Sequence, residues 1–500
     1  MEKFFSIPIN RRDLMKLAGL TTAGLFLSGS SNSPKVEAAE KVVKFDAKNI
    51  PTLMSADVCV CGGGSAGTAA AICAAQHGAK VVLIEKSISL GGLQTLGCVY
   101  PCMSTIIEDS DTPYIKEINS RMENLGYKPD IEVKPILGLA PFKVYGGGAE
   151  RYVPEVLVEI YDEMCEEVGA DILYNTTIIG AVTENQKISS CIVQTIEGIS
   201  KIDAKIFIDA SGDAVLSRFA GIPVESGSKT TGRNQPMSFR FEMSGIDEMK
   251  VYEFFTKKLN EEHLMPPDFE LAKWSKNEDF FKKGVINGEL TQDDITYIQA
   301  FTIKGKPGTM SMNCPELPPL KFSATDSISY SKAVSFGRRM IRRLARFFQK
   351  NIPGFEKSHI SREAAILGVR ESWRVVGKYF MTEEDYWEAR KFPDAVCRTA
   401  YPIDIHDTTL NLSKQLKKGE FYEIPFRALV TNEIENLAVV GRCASGNFSA
   451  QASFRIQPTC MSMGEAAGIA AAYSLKNNIS LNNLEWDKIP ENIRSYVSKG

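Results

Sequence analysis

Glycines at Gly62, Gly64 and Gly67 stand in the spacing G-x-G-x-x-G, and a carboxylate, Glu85, follows at about the twenty-residue offset at which an acid meets a ribose. Those residue types at those distances can hold a dinucleotide. The first glycine permits a tight turn, the second lets a pyrophosphate approach the main chain, and the third lets a helix pack closely on the preceding strand. Ser65 and Ala66 then open a helix whose unpaired N–H groups and positive dipole end face the phosphates. Glu85, with Lys86 beside it, can accept a hydrogen bond from a ribose hydroxyl, which disfavours a 2′-phosphorylated ribose.

Such chemistry needs a strand, a turn, a helix and a second strand to position it. From Ala56 to Lys86 the chain supplies them in order: the run ADVCVC, the glycine turn, an alanine-rich stretch that stops at Gly78, and the apolar run VVLI. Ser89-Leu90-Gly91-Gly92 follows, and its paired glycines let the main chain pass close under a bulky ring. Further on, ILYNTTIIGAVTE, ISSCIVQTI and AKIFIDA read as strands, ending at Ala210-Ser211-Gly212-Asp213. A third block has a strand at Leu437 to Val440, then Gly441 and Arg442, then a helix of small residues after Gln457-Pro458.

The ASGD tetrapeptide resembles the second FAD-contact motif of glutathione-reductase-type flavoproteins, usually written ATGD. All three blocks, in this order, resemble the FAD-dependent oxidoreductase family, a relative of the fumarate reductase and succinate dehydrogenase flavoproteins, over most of the chain after residue 55. That resemblance implies an α/β fold: a Rossmann-like FAD-binding domain of the two-dinucleotide-binding type with an inserted α+β substrate or cap domain. The segments expected are 56–220 with 428–500 for the FAD-binding domain and 221–427 for the cap. FAD is the implied cofactor, and the late helix would aim its dipole at the flavin's pyrimidine oxygen. Gly92-Leu93-Gln94-Thr95 has no His of the kind that tethers FAD in larger relatives, so non-covalent binding is expected.

Two stretches of the insert also resemble family motifs: Gly368 to Gly377 looks like G-x-R-E-[ST]-x-R-x-x-G, and Tyr401 to Asp407 looks like P-x-D-I-H-D. Both are expected where cap and flavin domain meet. Arg370 and Arg374 suit a substrate carboxylate, ketone or enolate, and His406, within a motif in a chain with four histidines, suits proton transfer near neutrality. The alternative for the arginines is structural, pairing with Glu371, Asp404 or Asp407. Met237 to Met243 reads as the first strand of the insert. The run Arg338, Arg339, Arg342, Arg343 and Arg346, interleaved with Met340, Ile341, Leu344, Phe347 and Phe348, reads as a helix with a solvated basic face, a membrane-surface helix being the alternative.

With 500 residues and a net charge of -3, the chain can bury more than one core, and it presents no overall field that would gather nucleic acid. Its eleven cysteines form no C-x-x-C pair, so no metal site is expected, and Cys59 and Cys61 read as buried strand thiols. Cys98 and Cys102 read as packing residues. Asn10-Arg11-Arg12-Asp13-Leu14 precedes an apolar run from Leu17 to Leu27, too short for a bilayer core of about 30 Å. Residues 1–38 therefore resemble a twin-arginine signal peptide, with 39–55 a linker. An exported, extracytoplasmic protein without a permanent membrane anchor is expected.

The reading is an FAD-dependent dehydrogenase or reductase that moves hydride or electrons between FAD and a small organic substrate. No haem or iron-sulfur module accompanies the motifs, so a separate electron donor or acceptor is expected: a protein, a quinone or a diffusible molecule. An NAD-dependent dehydrogenase and a non-enzymatic flavin electron carrier are the alternatives. With Arg11 and Arg12 changed to Lys, cell fractionation should find the protein retained in the cytoplasm; unchanged export would remove the reading of this segment.

Overall fold

Val58 to Cys61 are four consecutive residues with no solvent exposure, the mark of a strand covered on both faces. They end β1 (Thr52–Cys61), the centre of the larger sheet. A computed structural model describes residues 49–103, 105, 107, 110–127, 134–137, 150–151, 153–256, 269–272, 278–303, 305–406 and 415–498. The segment expected to be a signal peptide, part of the expected linker and Asp407 lie outside the described residues.

After β1 the chain turns into α1 (Ser65–Gln76) and returns as β2 (Val81–Ile84), which pairs parallel to β1 with Val58 opposite Val81. The expected order of strand, turn, helix and strand is present. β3 (Gly198–Asp209) lies on the other side of β1, also parallel, with Ala56 opposite Ala204. Its two halves have different partners. The first pairs antiparallel with Lys187–Thr195, and the second pairs parallel with β4 (Leu437–Val439), Leu437 facing Phe207. Asp171–Leu173 and Thr177–Glu184 complete seven strands.

A second sheet of six strands orders His359–Glu363, Phe241–Ser244, Thr309–Met312, Gln299–Thr302, Phe269–Ala272 and Lys134–Leu137. The first five are antiparallel neighbours, and the last pair is parallel. α2 (Ser327–Asn351) covers this sheet: Met340, Ile341, Leu344, Phe347 and Phe348 share a buried cluster with Phe239, Phe241, Met243, Met310 and Met312. The chain is thus an α/β protein with a parallel-strand Rossmann-like sheet and a second α+β unit.

Two boundaries differ from the expected ones. Lys134–Leu137, placed with the FAD-binding segment, pairs in the second sheet. Met381 to Arg427, placed with the insert on composition, buries Met381, Tyr386, Phe392, Val396, Ile403 and Tyr422 in the first core, because Ala395–Thr399 and Tyr422–Pro425 form their own antiparallel pair against it. The expected opening strand at 237–243 begins at Phe241, with Ser238 bridging Glu316 and Gly368.

α1 and α3 (Gln457–Asn477) are buried nearly all round, and glycine lets them touch. A Cβ on Gly464 would sit 2.0 Å from the Ala66 carbonyl oxygen, and one on Gly468 2.4 Å from that of Ala70. Gly464→Val and Gly468→Val should each lower the unfolding free energy, read from denaturant titration, by more than the loss of about 1–3 kcal/mol usual for overpacking, since backbone must move. Wild-type stability in either variant would show that this contact does not hold the helices.

Candidate functional site

The turn after β1 has the steric pattern that its glycines imply. Gly62 is left-handed at φ 107°, and a Cβ there would meet Ala210 O and Ser211 Cα at 2.8 Å. A Cβ on Gly67 would lie 1.7 Å from Gly62 O, so strand and helix can pack this closely through glycine alone. Gly64 is the opposite case. Nothing lies within 4 Å of where its Cβ would be, leaving room for a ligand against the backbone. No side chain caps α1 there, and its first helical bond runs from Thr68 N–H to the Gly64 carbonyl, 3.0 Å. An uncapped N-terminus facing open space suits a phosphate.

Glu85 is 7% exposed, and each carboxylate oxygen accepts a backbone N–H, from Gly63 at 2.8 Å and from Ser87 at 2.8 Å. It therefore ties the second strand to the glycine turn and keeps lone pairs for a ribose. Gly91 and Gly92, both left-handed, lie against this turn: the Gly91 N–H donates to Gly63 O at 2.8 Å, and Gly64 bridges Gly91.

Gln94 joins the two helix starts. Its Oε1 accepts from Ser65 Oγ and from Tyr161 Oη, each at 2.9 Å, while its Nε2 donates to Gln457 Oε1 at 3.3 Å. Gln457 in turn donates to Val99 O at 2.9 Å. With Pro458 in its first turn, α3 also starts without a side-chain cap.

At the third corner, the Asp213 carboxylate accepts from Ser372 Oγ at 2.6 Å and from Arg442 Nη2 at 2.9 Å, and Arg442 Nη1 donates to Ser372 at 2.8 Å. Burial would raise the Asp213 pKa, but Arg442, Ser372 and Lys86 outweigh it and hold it below the usual range. Gly212 is left-handed, and a Cβ on it would meet the Arg442 guanidinium at 2.9 Å. The buried Asp209 shapes this ASGD turn by accepting from Ser211 Oγ at 2.6 Å and from Ser217 N–H at 2.8 Å. The glycine turns, the two uncapped helix starts and Glu85 together fit FAD.

A second group lies where the two cores meet. His406 Nδ1 is 2.9 Å from Glu316 of the second unit, and its Nε2 is 3.2 Å from Asp404. Arg370 Nη2 pairs with the same Glu316 oxygen at 3.2 Å, and Arg455 Nη2 with Asp404 at 3.0 Å. The order is Arg455, Asp404, His406, Glu316, Arg370: cation and anion alternate. Burial and Arg370 push the His406 pKa down, but Asp404 and Glu316 prevail and leave it raised. Burial would raise Asp404, yet His406, Arg455 and Arg370 hold it well below the carboxylate range.

Gln451, fully buried, donates to Arg370 O at 3.0 Å and to Arg442 O at 3.2 Å. It links this charge chain to the Asp213 corner. Arg374 does not belong to the chain. At 1% exposure it forms a close ion pair with Glu371, the structural pairing considered for it, and donates to Gly446 O at 3.0 Å and Gly227 O at 3.3 Å. Sequence reasoning missed Gln94, Gln451 and Glu316, which carry no local motif. Cys98 and Cys102, like all eleven cysteines, are buried and in no disulfide.

The His406 shift has a consequence for stability. Its folded pKa lies above the unfolded value of about 6.5, so its ion pairs stabilise fully below that value and are lost as pH rises through the raised one. The gap in unfolding free energy between wild type and His406→Gln should therefore be larger at pH 6 than at pH 9. An equal gap at both would mean the imidazole is not held as a cation.

A family model described as FAD dependent oxidoreductase matches residues 57–493. No curated protein sequence matches the chain. Among solved structures, the chain is similar to a flavoprotein/dehydrogenase from Cytophaga hutchinsonii, with 15% identity over 88% of this chain and 82% of that one at a TM-score of 0.44. The p-nitrophenol 4-monooxygenase PnpA from Pseudomonas putida DLL-E4 has 10% identity over 87% and 84%, TM-score 0.46. L-proline dehydrogenase from P. horikoshii has 14% identity over 88% and 97%, TM-score 0.40.

Proposed function

Because the chain belongs to the FAD-dependent oxidoreductase family, we propose that it is a dehydrogenase or reductase whose small organic substrate meets the cofactor beside His406. FAD, when bound, supplies the capacity to take up or give out an electron pair. The residues expected to hold it are those of the glycine turns, Glu85, the Asp213 corner and the starts of α1 and α3. No His follows Gly92 in the tethering position, which supports non-covalent binding. The nicotinamide alternative is not retained, since the family is FAD-dependent.

The observation that carries the reading is His406 between two carboxylates, Glu316 from one unit and Asp404 from the other. Held this way the imidazole keeps its proton near neutrality and can give it to a substrate atom that gains electrons. In the reverse direction it can take the proton back, because the same two carboxylates favour the cation. A donor must release one carboxylate as it turns to the substrate, and the other then keeps it oriented. Arg370, tied to Pro236 O at 2.7 Å and to Glu316, sets the position of that carboxylate and adds positive charge beside the imidazole.

Export through the amino-terminal segment and a separate electron partner belong to the same proposal. His406→Gln should leave the yellow flavin band intact and lower kcat by about 10²–10⁴-fold, the range for loss of a general acid or base. Full activity with any substrate that bleaches or restores the band would retire His406. A protein that exchanges electrons only with redox proteins would instead favour the carrier.

A further inference from the structure

α2 carries a cationic stripe with which no described carboxylate pairs. Lys332, Arg339, Arg342 and Arg346 are all exposed. At 100° per residue they fall within an arc of about 80°, and at 1.5 Å per residue they run for about 21 Å along the helix. The neighbouring cations are different. Arg338 pairs with Glu363 at 3.0 Å and Arg343 with Asp294 at 2.8 Å, and Lys350 pairs with Glu289. Among the described residues no carboxylate forms an ion pair with the four of the stripe; Arg339 only leans over the Phe336 ring at 5.6 Å. This arc is a local reversal of sign on a chain of net charge -3.

Apolar groups accompany the cations. Ile328, on the same arc, is 49% exposed, and Leu320, just before the helix, is 71% exposed. Phe322 and Phe336, with ring centroids 5.2 Å apart, floor an open hollow of about 730 Å³ edged by Ile328, Ser331, Lys332 and Arg339. The opposite face of α2 is spent on the second core, so the helix does not lie in a bilayer as a free amphipathic helix does. What it offers is a row of cations with two protruding aliphatic side chains. A soluble acidic protein would complement the cations but leaves Leu320 and Ile328 unexplained. Anionic headgroups with acyl chains beneath them complement both.

We propose that this face of α2 docks the protein reversibly on an anionic phospholipid surface, with Lys332, Arg339, Arg342 and Arg346 at the headgroups and Leu320 and Ile328 below them. The proposal does not depend on which substrate the enzyme uses, nor on His406. Among the described residues no helix is long and apolar enough to cross a membrane, so the contact is peripheral.

The test is co-sedimentation of the purified full chain with vesicles of phosphatidylcholine alone and with a one-third fraction of phosphatidylglycerol. Binding is expected only to the second, and it should weaken as salt rises. Each cation near an anionic surface contributes about a fivefold factor, so Arg339→Gln with Arg342→Gln should weaken binding about 20-fold or more while leaving the flavin band and melting temperature unchanged. Lys187→Gln with Lys205→Gln removes the same charge from the first sheet and should bind as wild type. Ile328→Ser should weaken binding at high salt, where the apolar part remains. No binding to phosphatidylglycerol vesicles, or equal loss in both double variants, overturns the proposal, as does capture of an acidic protein by this face with vesicles ignored.

Discussion

Two helices from opposite ends of the chain touch backbone to backbone, and the rest of the site follows from that contact. Gly464 and Gly468 of α3 leave no room for any side chain against Ala66 and Ala70 of α1. Because both helices are rigid and both begin bare, their closeness brings two positive dipole ends to one place without a charged residue. Gln94 then bonds to the first residue of each helix, which converts a packing contact into a fixed separation. The left-handed turns at Gly62 and Gly91 run beneath, where bulkier residues would obstruct both one another and a ligand.

The second dependency is electrostatic. Five side chains of alternating sign join two units that otherwise keep separate apolar cores, and His406 stands in the middle with both ring nitrogens engaged. Half-buried charges are costly unless paired, and here each member has two neighbours or a backbone carbonyl. Arg455 lies two residues before the start of α3, and Arg370 is bonded through Gln451 to the Asp213 corner. The proton-holding group is therefore attached to the cofactor cradle through short covalent and hydrogen-bonded paths, and a shift of either unit changes the imidazole's surroundings.

How much of this was readable beforehand divides along physical lines. The glycine turns, α1, α3 and the strands from 171 to 209 were evident because each is a local pattern of sterics and period. The placement of His406 and Arg370 at a junction came from resemblance, and the geometry agrees with it. For Arg374 the letter alone leaves a structural and a substrate-binding reading open; its partners Glu371, Gly227 and Gly446 appear only in the fold. Gln94, Gln451 and Glu316 were invisible since single polar residues acquire meaning from partners far along the chain. Which core receives Met381, Tyr386 and Tyr422 is hidden for a related reason: composition reports how polar a segment is, not where its apolar side packs.

β3 is divided lengthwise between an early hairpin and β4, a strand that arrives only after the whole insert. A ribosome making this chain must release nearly all of it before the sheet can close or α1 can find α3. Until then the first glycine turn is half a cradle, because β4 and α3, which complete it, follow the insert in the chain.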